Sequence, residues 1–79
     1  MDLPVRESVT AKIQAAVFWE DAPMTHSSLS ALLLRTLDEH DLWEIREASL
    51  NHGKEATKNW LRETLHSSGV PLGLLVTFL

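Results

Sequence analysis

The chain has no cysteine. That excludes disulfides, thiolate nucleophiles and every metal site built on sulfur. Its three glycines stand apart, at Gly53, Gly69 and Gly73. Phosphate-cradling loops and dinucleotide fingerprints need clustered glycines, so neither is present. No apolar run approaches the ~18 residues of a membrane span, and the first residues lack the charged-then-apolar order of a signal peptide. These absences predict a cytoplasmic protein that does not enter a membrane. Basic residues are also in short supply: seven Lys and Arg against eleven Asp and Glu give a net charge of −4. This balance argues against a general nucleic-acid binder but leaves room for one basic face.

What remains is an ordinary folding composition, 44% hydrophobic and 23% charged, which is not that of a disordered chain. The 79 residues predict a single small domain, 1–79. A domain of this size buries only about 60% of its unfolded surface, so its stability is small.

The opening Asp2-Leu3-Pro4 reads as a helix start, an acid followed by proline in the first turn. Val5, Val9, Ile13, Ala16 and Val17 then recur at helical spacing. The same stretch carries a second period, because Val9, Ala11, Ile13, Ala15, Val17 and Trp19 alternate as in a half-buried strand. Residues 5–19 are therefore a helix, favoured by their Ala, Gln, Lys and Glu, or else a strand. Asp21-Ala22-Pro23 ends the element. Caps among residues 25–28 precede a helix faced by Leu29, Leu32, Leu33 and Leu37, which Asp38, Glu39 and His40 close. Asp41 and Glu44 form a capping-box pattern for a short third helix with Leu42, Ile45, Ala48 and Ser49 inward. Gly53 stops it in a left-handed conformation. A fourth helix over 54–66 turns Ala56, Trp60, Leu61, Thr64 and Leu65 inward and stops at Gly69. The last ten residues, 70–79, hold Pro71 and Gly73 against a helix and Val76, Thr77 and Phe78 for a strand. As a strand, Leu72, Leu74, Val76 and Phe78 line one face, with Leu75 and Leu79 on the other. Such a strand needs a partner for its backbone groups, either residues 9–19 or the same segment of a second chain. The predicted fold class is mainly α: a small bundle of three to four short helices with a C-terminal apolar strand.

The candidate chemistry is sparse. His26, His40, His52 and His66 are never three or four residues apart, and each falls near an element end, where imidazoles cap carbonyls or face water. Ser27, Ser28 and Ser30 lie near His26 and Asp21 without a nucleophile elbow, and serines before a helix are usually caps. No cofactor, no metal and no catalytic activity are expected. The surfaces say more. Asp38, Glu39, Asp41, Glu44 and Glu47 crowd one short region with Arg46 alone opposing them. Five acids exceed what a helix cap needs; they read as a plain solvated face, as charge runs usually are, or as a patch for a basic or nucleic-acid-binding protein surface.

Lys54, Lys58 and Arg62 recur at i, i+4 and i+8 along the fourth helix, with Asn59 beside them. A Leu-rich helix, a short helix, a tight turn at Gly53 and a polar-faced helix resemble, in that order, a helix-turn-helix. Residues 42–65, with Trp60, Leu61 and Leu65 near their end, are similar to a winged-helix recognition unit, with 70–79 as one wing strand. The resemblance implies a DNA-binding transcriptional regulator whose recognition helix is 54–66 and whose contact residues are Lys54, Lys58, Asn59 and Arg62.

Of the three tryptophans, Trp60 falls on a core face. Trp43 falls off one, on a second apolar side near Leu50, and Ala31 and Leu34 are similarly off-face. In so short a chain, apolar side chains outside a single stripe point to association. The leading expectation is thus a non-catalytic adaptor, regulator or inhibitor that occludes a partner protein through Asp38, Glu39, Asp41, Trp43, Glu47 and Leu50. It is expected to be a homodimer through Leu72, Leu74, Val76 and Phe78. DNA binding is the alternative.

Overall fold

The computed structural model describes residues 4–21 and 23–78. Five helices follow one another: α1 (Glu7–Phe18), α2 (His26–Thr36), α3 (Glu39–His52), α4 (Lys54–Ser67) and α5 (Leu72–Phe78). No strand occurs among the described residues. Asp2, Leu3 and Leu79 lie outside them, and so does Ala22.

The first helix resolves the competing periods. Val9, Ile13 and Val17 are buried at i, i+4 and i+8, whereas Ala11, Ala15 and Trp19, which the strand reading sets beside them, are exposed. The helix begins at Glu7, with Arg6 in extended backbone before it, so Pro4 stands outside its first turn. At its far end Glu20 accepts from Arg35 at 2.8 Å, tying the exit of α1 to the last turn of α2.

Capping chemistry sets the middle boundaries. Thr25 accepts from the Ser28 backbone at 3.1 Å, and Ser28 Oγ accepts from the Thr25 backbone at 2.7 Å. The same reciprocal box recurs at Asp38 and Asp41, at 2.9 and 3.2 Å. The predicted box at Asp41 and Glu44 is therefore one turn late. Asp38, Glu39 and His40 open α3 rather than close α2, because the extended backbone at Asp38 aims its carboxylate at orphan amides of the next helix. Gly53 alone joins α3 to α4, with φ 91° and ψ 151°. That conformation is open only to glycine, but it is not the left-handed helical basin the sequence predicts.

The fourth helix buries Thr57, Trp60, Thr64 and Leu65, with Thr57 inward where Ala56 is predicted. Thr57 can turn in because its hydroxyl donates to the Gly53 carbonyl at 3.1 Å. Trp60 crosses to α1, donating from Nε1 to Thr10 Oγ1 at 3.1 Å. The helix ends as predicted at a positive-φ glycine, Gly69, φ 111°. The Gly69 amide bonds the His66 carbonyl and the Val70 amide bonds the Leu65 carbonyl, the paired bonds of a Schellman stop, with Val70 buried beside it.

The C-terminal strand is not formed; α5 takes its place. The reason is backbone accounting: with residues 7–18 helical, an extended 72–78 has no ladder to join, and a helix satisfies its own groups. Pro71 lies just ahead of the helix, and its carbonyl receives the Leu74 and Leu75 amides. Gly73 costs about 1 kcal/mol in a helix, less than the roughly 1.5–3 kcal/mol gained by burying Leu75, which is fully enclosed. Thr77 Oγ1 meets His26 Nε2 at 2.6 Å, and the His26 ring lies edge-on to Phe78. The helices share one core built on Ile13, Leu29, Leu65, Val70 and Leu75, within extents of 34 × 24 × 21 Å.

Candidate functional site

Helical phase divides α3 into two faces. Asp41 and Ala48 are buried and Ile45 is half-buried, which fixes the inner side. Residues opposite that side must face water. They are Glu39, Trp43, Arg46, Glu47 and Leu50, with Leu42 at the edge. Trp43 is 58% exposed and Leu50 79%. Leu42, predicted inward, is 44% exposed. Its phase lies a quarter turn from the core direction, too far round for full cover.

Trp43 stands between two shallow depressions. One is lined by Glu39, His40, Leu42 and Arg46 together with Trp43. The other is lined by Arg6, His40, Glu44 and Glu47 together with Trp43. The Arg46 guanidinium lies over the Trp43 ring, 5.4 Å from its centroid, within cation–π range. In the sequence Arg46 stands as a lone counter-charge among acids. Its i+3 spacing from Trp43 was the available signal.

The acidic patch is only partly outward. Asp41 is buried and takes the Lys12 ammonium at 2.6 Å. The Lys12 hydrogen bond holds the Asp41 carboxyl below its ordinary value, against the opposing effect of burial. The same bond pushes Lys12 up. Glu44 pairs with Arg6 at 2.8 Å, and Asp38 caps the helix. Three of the five acids thus fasten α3 to α1 or start α3, which leaves Glu39 and Glu47 for the outer face.

The remaining candidates are scattered differently. On α5 the four self-association residues do not share one face: Leu74 and Phe78 are half-buried against the core, while Leu72 and Val76 face outward. On α4, Lys54 and Asn59 are exposed, and Lys58 and Arg62 are half-buried. Arg62 donates from Nη1 to Asn59 at 3.0 Å, while its buried Nε has no acceptor. Leu34 is exposed, as its off-face position implies, and Phe18 and Trp19 are 76% and 77% exposed and packed edge-to-face. The sequence gives little sign of that aromatic pair, because Trp19 fits the strand alternation.

His26 and His66 are occupied locally, by Thr77 and by the Val70 carbonyl. Among the described residues no three His, Asp or Glu side chains converge as a metal site. No helix there is long and apolar enough to cross a membrane. Comparison with known proteins returns nothing: no family model, no curated protein and no solved structure matches this chain.

Proposed function

We propose that the chain is a small, non-catalytic interaction module, an adaptor, regulator or inhibitor that occludes a partner protein's surface through the outer face of α3. The observation that carries this reading is Trp43. It stands on the side of α3 opposite the core, with Leu50 two turns further on, Leu42 beside it and charged side chains around it. An apolar anchor inside a polar rim is the usual centre of a protein interface, and tryptophan is the residue most enriched there. The test is capture of partners from the source cells by tagged wild type, Trp43→Ala and Leu50→Ala. Loss of the same captured protein from both variants, at unchanged thermal midpoint, supports the reading. A partner retained by both overturns it.

The helix-turn-helix reading has one observation behind it: α3 and α4 pack together in the expected order, with Lys54 and Asn59 exposed. Against it, the single-residue junction is shorter than the usual three- to four-residue turn, and Arg62 is drawn onto Asn59. Duplex binding at low salt that falls steeply as salt rises and is lost in Lys58→Glu would move it to first place.

A further inference from the structure

We propose that the outer face of α3 takes a second copy of this chain, docked antiparallel about a two-fold axis passing between Leu42 and Trp43. The inference deepens the docking reading above and rests on it.

A two-fold contact uses the same patch on both molecules, so the patch must complement itself. Antiparallel docking sets residues equidistant from the axis opposite each other. At the centre, Leu42 and Trp43 point about 100° apart round the helix, so Leu42 meets its own counterpart on one edge and Trp43 meets its own on the other. On the flanks, Glu39 of one meets Arg46 of the other, also twice. Glu39 and Arg46 lie two turns apart on the same edge of the face. The symmetry therefore brings opposite charges together at both ends.

The register follows from the same charges. Moving the axis one turn toward Leu50 would set Arg46 against its own counterpart, and like charges across an interface exclude that arrangement. Neither charge is taken up in an ion pair among the described residues. Arg46 instead lies over Trp43, at the rim of the depression that Glu39 closes on the other side. With the C-terminal segment folded as a helix, strand pairing no longer offers a route to a homodimer. The α3 face does. A contact between single helices is smaller than the ~1,200 Å² of standard interfaces, so the dimer is weak and forms at high concentration.

Sedimentation equilibrium on the full chain, up to about 1 mM, reads this directly. The wild type is expected to dimerise across that range. Glu39→Lys and Arg46→Glu each set like charges together at both flanks, and each alone is expected to weaken the dimer at least about tenfold. An equimolar mixture of the two is expected to recover it, because every flank then pairs Lys or Arg with Glu. The doubly substituted chain Glu39→Lys/Arg46→Glu is expected to dimerise on its own, which separates charge matching from damage to the fold. A monomeric wild type overturns the proposal, as do single variants that dimerise normally. Failure of both the mixture and the double variant to recover the dimer overturns it too. A monomeric wild type leaves the broader docking reading standing, since that reading fails only if Trp43→Ala and Leu50→Ala keep their partner.

Discussion

Leu75 of α5 is fully enclosed, whereas Trp43 and Leu50 of α3 stand mostly in water, although both segments carry more apolar side chains than one helical face needs. On α5 most of the apolar side chains are absorbed: Leu74, Leu75 and Phe78 turn toward the core and hold the last seven described residues against the bundle, while Leu72 and Val76 stay in water. On α3 the inner side is already occupied, partly by a charged residue, Asp41 bonded to Lys12. The apolar residues left over sit where nothing in the chain covers them. Apolar content alone therefore says little about burial. Phase relative to the core decides it.

The sharpest way to break this contrast is Leu75→Ala. Removing a fully buried leucine is expected to cost about 2–5 kcal/mol, a large part of the few kcal/mol available to so small a domain. Denaturant unfolding followed by circular dichroism measures it. A loss below about 1 kcal/mol would mean that α5 is loosely attached and that the two regions do not differ.

The mainly helical class and the second, third and fourth helices were legible in the sequence, whereas residues 5–19 carried a helical and a strand period together, which the burial of Val9, Ile13 and Val17 decides for the helix. Gly53 and Gly69 were legible as stops, since both adopt positive φ. The tail was not. Local propensity at Val76, Thr77 and Phe78 argued for extension, and only the absence of a partner strand in the folded bundle reverses it. Four of the six partner-binding candidates were legible: Trp43, Leu50, Glu39 and Glu47 face outward as expected. Asp41 was not, because its burial depends on Lys12, 29 positions away in sequence. Short-range patterns carry no sign of such a pair.

That pair gives a second, intermediate effect. Asp41 has a folded pKa below its ordinary 3.8. Its stabilising contribution is therefore complete above that value and lost as pH falls through the lower, folded one. Asp41→Asn is expected to be less stable than wild type at neutral pH, yet to lose less stability on going from pH about 4 to about 2. Thermal midpoints across that range check it, and parallel curves would mean the Lys12 contact is not formed.

The smallest expected effect on stability is that of Trp43→Ala. An exposed side chain on the outer face should change unfolding free energy by no more than about 0.5 kcal/mol. A loss comparable to that of Leu75→Ala would place Trp43 in the core and remove the distinction between the two regions.

The most direct measurement is a dilution series of the full chain from about 1 mM to about 10 μM, followed by amide chemical shifts. Concentration-dependent shifts confined to residues 39–50, with 54–66 and 72–78 unmoved, are the result expected if the outer face of α3 is the contact surface. Shifts concentrated on α5 or α4, or none anywhere, would contradict self-docking through that face.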